Sequence, residues 1–185
     1  MNKKILDIVP IGQVNDTILH RLSITINRCL GCSSRINEAW EIPSYAYNPI
    51  RKQYHATRIL KELCERVNTD SVRTIGITNL DLFIPIFTFV FGEAQLEGHC
   101  AILSLGRLRQ EFYGLPPDDE LFLSRVEKET IHELSHTFGL THCRDPHCVM
   151  HASYTIADTD IKSDQFCKLC NHKLAFRLKE LKELS

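Results

Sequence analysis

Net charge is nearly absent from this sequence: 22 lysines and arginines meet 23 aspartates and glutamates, leaving −1 with histidine neutral. That balance excludes a general affinity for nucleic acid or anionic lipid, both of which select a basic surface. The local basic cluster Arg107-Leu108-Arg109 is read as solvated surface. Long apolar runs are also missing. The most apolar stretch, LFIPIFTFVFG (82–92), contains Pro85 and falls short of the roughly 20 residues that cross a bilayer. Near the N-terminus, Asp7, Pro10 and Gly12 interrupt any apolar core of a secretion signal. The expectation is a cytoplasmic monomer with no membrane or nucleic-acid partner.

Without a secretion signal, the eight cysteines argue for metal ligation over disulfides. Six of them fall in close pairs, Cys29/Cys32, Cys143/Cys148 and Cys167/Cys170. Cys64 and Cys100 are read as core residues. The apolar fraction of 43% is ordinary for a globular chain, and 185 residues suffice for a proper core.

Residues 3–11 read as a first strand, followed by a short helix from Val14 capped by Asn15 or Asp16. RLSITINRCL (21–30) alternates as a second strand, and residues 29–49 read as an irregular excursion. Residues 53–67 predict an amphipathic helix whose stripe holds Ala56, Ile59, Leu60, Leu63, Cys64 and Val67. Residues 72–78, 84–92 and 99–108 read as strands, the last two joined by a turn through GEAQLEG; Phe87, Phe89 and Phe91 alternate as core packing. Pro116 and Pro117, then Asp118 and Asp119 at capping positions, open a helix that runs to about Gly139. Residues 141–170 lack helical periodicity, and 172–184 form a last helix. The class is α/β: a mixed twisted sheet with packed helices over 1–139, then a largely irregular subdomain over 140–185 that ends in a helix.

What the sequence does have is concentrated in TIHELSHTFGLTHCRDPHCVM (130–150). His132 and His136 are one helical turn apart on one face, so both imidazoles can share a metal, with Glu133 at its edge. Gly139 lets the backbone turn left-handed and swing His142 back towards them. Three neutral imidazoles leave tetrahedral zinc one open position, where a water reaches a pKa of about 7. Glu133 can take that water's proton as the oxygen attacks a carbonyl, then pass it to the leaving amine. Cys143 and Cys148, with the C-x-x-C of Cys167 and Cys170, suit a second, closed zinc site that contributes folding energy. His147, His151 and His172 are near enough in sequence to replace one thiolate. Cys29-Leu30-Gly31-Cys32 lacks a second pair and is read as incidental or redox-active before it is read as a third site.

The run HELSHTFGLTHC-x4-C-x-M followed by C-x-x-C resembles the archaemetzincins, a branch of the metzincin zinc peptidases, and the stretch from Asp81 to Leu108 is similar to the same family. The resemblance implies a single metzincin-like domain over 1–185 and two zinc ions. His132, His136 and His142 would hold the catalytic zinc, with Glu133 as general base. Cys143, Cys148, Cys167 and Cys170 would hold the structural zinc, and Met150 would form the Met-turn beneath the imidazoles. In metzincins an edge strand binds substrate by strand addition, which makes HCAILSLGRL the expected strand. Some metzincins place a tyrosine two residues after the methionine. Here that position is Ala152, and Tyr154 is read as a partly buried tyrosine. The expected substrate is a peptide or small protein. A zinc-stabilised binding protein and a hydrolase of small amides are the alternatives.

Overall fold

A computed structural model describes residues 5–183 apart from residue 69. A five-stranded mixed sheet forms its centre. It is built from β1 (Ile5–Ile11), β2 (Ser33–Ile36), β5 (Ser71–Thr78), β7 (Gly92–Ala94) and β8 (Cys100–Ser104), in the order β2-β1-β5-β8-β7. All neighbours are parallel except β7 and β8, which pair Gly92 with Leu103 and Ala94 with Ala101. A small second sheet joins β3 (Tyr47–Asn48), β4 (Gln53–His55) and β6 (Leu82–Phe83).

Period-two alternation sends each strand's side chains to two layers. Leu6 and Ile8 of β1, Ile75 and Ile77 of β5, and Ala101 and Leu103 of β8 enter one cluster. Val9, Ile11, Cys100 and Ile102 enter the other. The first layer is covered by α1 (Asp16–Leu30) and α3 (Asp119–Thr137), and the second by α2 (Ala56–Glu65) through Ala56, Ile59, Leu60 and Leu63. Each such fully buried aliphatic side chain contributes about 1.5–3 kcal/mol. The chain closes with α4 (Ile156–Ile161) and α5 (Lys168–Glu183). Among the described residues no helix is long and apolar enough to cross a membrane.

Several expectations need correction. Residues 21–30 are not a strand but the body of α1, whose N-cap is Asn15 accepting from Thr17 N (2.8 Å). The buried set Ile18, Leu19, Leu22, Thr25, Ile26 and Leu30 has helical spacing, while Ile24 is 65% exposed. Its end is Gly31 at φ 64°, so Cys29-Leu30-Gly31-Cys32 is a helix terminus. Within residues 29–49, β2 runs parallel to β1. Residues 84–92 do not form one strand either. Pro85 begins a turn closed by Phe87 N–H donating to Ile84 O (3.0 Å), and the strand resumes only at Gly92. Of the three phenylalanines, Phe91 is core, Phe89 is partly buried against it and Phe87 is exposed. The strand at 99–108 is confined to β8, which is flanked by β5 and β7 and so is interior; the edge belongs to β7. Arg107 is no free surface charge: it pairs with Asp81 (2.6 and 2.8 Å) and lies over Phe89 and Phe112. The first strand's expected start at residue 3, and residue 184 of the last helix, lie outside the described residues. The last helix begins earlier than expected, at Lys168, and so contains Cys170.

Candidate metal centres

Helix α3 starts where its sequence says it should: Asp118 caps it by accepting from Leu121 N (2.9 Å). Its second half is buried on every side, from Arg125 to Ser135 without a break. A helix hemmed in like this is normally apolar throughout, yet this one buries His132 and Glu133. Polar side chains in such a place need partners. His132 Nδ1 donates to Val149 O (2.9 Å) and His136 Nδ1 to Leu140 O (2.6 Å). With both Nδ1 atoms protonated, both Nε2 atoms are bare acceptors, and they stand 3.1 Å apart. Two lone pairs at that distance fit a shared cation. Imidazole nitrogens on one tetrahedral zinc at about 2.0–2.1 Å lie about 3.4 Å apart.

The third imidazole arrives by the expected turn. Gly139 adopts φ 87° and donates to His136 O (2.9 Å), which ends the helix. His142 then stacks near His132, centroids 5.2 Å apart, and edge-on to His136 at 4.9 Å. One nitrogen from each of the three lies within 4.8 Å of the others, and this group contains no carboxylate or thiolate. Burial holds all three imidazoles below their ordinary range: His132 well below, His136 down to about 4, His142 also lowered, each further opposed by the charge of Lys162. They are therefore neutral donors at neutral pH. Burial, reinforced by Glu129, pushes the Glu133 carboxyl well above the usual carboxylate range.

Cys143, Cys148, Cys167 and Cys170 also gather, with sulfurs within 4.8 Å of one another. Thiolates on one tetrahedral zinc at about 2.3 Å lie about 3.8 Å apart, and Cys143 Sγ and Cys167 Sγ are 3.7 Å apart. Burial raises the Cys148 and Cys170 thiols, whereas the Cys170 backbone N–H lowers Cys167. A cation among them would offset the desolvation of the buried pair. Of the histidines that could have replaced a thiolate, His151 binds Cys143 O (3.0 Å) through Nδ1, His147 faces Ile161 O (3.4 Å), and His172 is exposed. Neither Cys29 nor Cys32 belongs to a ligand group among the described residues.

Met150 is wholly buried, in a turn closed by His151 N–H donating to Cys148 O (2.9 Å). The two groups are joined here: Cys143 N–H donates to Met150 O (2.8 Å), and Cys143 bridges His151.

A cleft of about 460 Å³ opens over the histidines. Glu133, His132, His136 and His142 form one polar wall; Ile84, Phe87, Phe89, Val90 and Phe91 form an apolar one, and β7 runs along the cleft with Glu93 among its lining residues. Tyr154, expected to be partly buried, is 66% exposed and faces Phe87 across the cleft with ring centroids 6.2 Å apart. It belongs to an irregular segment between the Met150 turn and α4. Sequence reasoning also passed over Glu129, Ser153, Lys162 and Gly92. Glu129 alone carried a signal, being one turn ahead of Glu133 on the same helix.

The model of Peptidase family M54 matches residues 31–176. An archaemetzincin of Methanocaldococcus jannaschii is 43% identical over 170 residues, 92% of each chain. The crystal structure of an archaemetzincin from Methanopyrus kandleri superposes with a TM-score of 0.85 at 36% identity, covering 96% of this chain and 97% of that one. A zinc-dependent peptidase from Methanocorpusculum labreanum superposes with a TM-score of 0.82 at 27% identity, covering 91% and 99%.

Proposed function

Since this chain belongs to peptidase family M54, the archaemetzincins, we propose that it is a zinc metallopeptidase that cleaves peptide bonds at His132, His136, His142 and Glu133. The convergence of three neutral imidazoles on one point, with no fourth protein donor in their group among the described residues, carries this reading. A purely structural site would be closed by a fourth ligand. Bound by these histidines, zinc supplies Lewis acidity, bringing the pKa of water to about 7 and polarising a carbonyl.

The protein's own groups do the rest. Glu133 accepts the proton of the attacking water and returns it to the leaving amine; a carboxyl raised by burial suits both halves of that task. Strand β7, whose outer edge pairs with no strand among the described residues, lies beside the cleft and can align an extended substrate by main-chain hydrogen bonds. That edge favours a peptide over a small amide. Cys143, Cys148, Cys167 and Cys170 hold a second, structural zinc, and Met150 forms the turn that supports His132 through Val149.

The test is cleavage of a mixed peptide library by the zinc-loaded protein. Cleavage that stops with a chelator and returns with zinc supports the reading. A protein that binds zinc at the histidines yet cleaves no peptide leaves the binding-protein alternative in its place.

A further inference from the structure

Among the described residues, Lys162 is the largest side chain wholly withdrawn from solvent. It follows the last turn of α4, with its N–H donating to Asp158 O (3.3 Å). Its ammonium lies 2.7 Å from Glu129 Oε1, 3.2 Å from His151 O and 3.4 Å from His132 Nδ1. Because His132 Nδ1 already donates to Val149 O, the last contact is a close approach of positive charge and not a hydrogen bond. Glu129 is buried as well, and its Oε1 also accepts from Ser153 Oγ (2.9 Å).

A buried ion pair is a poor stabiliser, since desolvating both ions offsets most of their attraction. An apolar pair of similar volume often holds a fold as well or better. The location suggests another role. Glu129 stands three residues before His132 on α3. His151 and Ser153 follow Met150, and Lys162 comes from the far end of α4. The pair thus ties three separate stretches of chain directly behind His132. It also reaches the third histidine: His151, whose carbonyl it holds, is bridged to Cys143, the neighbour of His142. Glu129 is not itself in the ligand group, and its Oε1 is engaged by Lys162 and Ser153.

We propose that Glu129 and Lys162 are a buried positioning pair that fixes His132 and His142 relative to each other before zinc binds. This rests on the reading that the three histidines hold the catalytic zinc. Outer partners of metal ligands typically contribute about ten- to a hundredfold in metal affinity.

The test uses the full chain carrying Glu129→Gln and Lys162→Met together, which leaves no lone buried charge. Zinc affinity at the histidines is measured by competition with a chelator. The cysteine site is followed separately by the thiolate charge-transfer absorption of bound cobalt, and the fold by Tm. The expected result is zinc binding at the histidines about ten- to a hundredfold weaker, a cysteine site that still loads cobalt, and, at saturating zinc, a lower kcat with KM unchanged. Ser153→Ala, a milder change, should shift the histidine-site affinity in the same direction by less. Unchanged affinity in the folded double variant overturns the proposal. If the double variant does not fold, unchanged affinity in Ser153→Ala overturns it. Wild-type protein that takes up no zinc at the histidines overturns the underlying reading, and the positioning role with it.

Discussion

A Cβ added to Gly92 would stand 2.6 Å from Cγ of Glu133 and 2.6 Å from the carbonyl oxygen of Ile102. The edge strand therefore passes over the Glu133 side chain with room for hydrogen alone. Gly92→Ala must push Glu133, the strand, or both. A displacement near 1 Å can lower a rate by about a hundredfold, and overpacking costs about 1–3 kcal/mol. We expect kcat to fall by about that factor while zinc at the histidines is retained. Steady-state kinetics alongside metal analysis would show this; a wild-type kcat would mean that the close approach of Gly92 does not position Glu133.

The two candidate metal groups meet between His142 and Cys143. The Cys143 backbone is held from both sides, its N–H by Met150 O (2.8 Å) and its carbonyl by His151 Nδ1 (3.0 Å). Loosening the cysteine group should therefore loosen His142. Cys143→Ser is expected to weaken zinc binding at the histidines by about tenfold. Chelator competition on the folded variant measures it, and an unchanged affinity would mean that the two groups are independent.

Asp7 provides a pH prediction far from the cleft. Burial alone would raise its carboxyl, but hydrogen bonds from Arg35, Asn68 and Asn37 prevail and hold it below the usual value of 3.8. The unfolded chain thus takes up its proton first as the pH falls. The contribution to stability is present above about pH 4 and is lost as the pH drops through the folded value. Asp7→Asn should cost about 2 kcal/mol at pH 7, and its deficit against wild type should shrink towards pH 3. Urea midpoints at the two pH values decide; a deficit that stays constant would contradict the assignment.

Much of the site was legible because its spacing is local. Residues i and i+4 share a helix face whatever packs around them, and Gly139 must turn the chain, so His132, His136 and His142 could be placed together without a fold. The four cysteines followed from pairing alone. The strand misread at 21–30 arose because Leu22, Ile24 and Ile26 alternate like a strand, while helical burial at Leu19, Leu22, Ile26 and Leu30 decides the matter. Sheet order was not legible. Gly92-Glu93-Ala94 carries no strand pattern, and only its pairing with β8 makes it the edge. Lys162 stayed hidden for a related reason. A lysine between Ile161 and Ser163 reads as solvated until α3 and the Met150 turn close over it.

In the proposed mechanism Glu133 moves protons while the histidines only hold metal. Removing the carboxylate should then separate metal binding from turnover. Zinc content and peptide-library cleavage of Glu133→Ala, measured beside wild type, test this most directly. Two zinc per chain are expected in both proteins, with cleavage lower by about 10²- to 10⁴-fold in the variant. Undiminished cleavage by Glu133→Ala would contradict that mechanism.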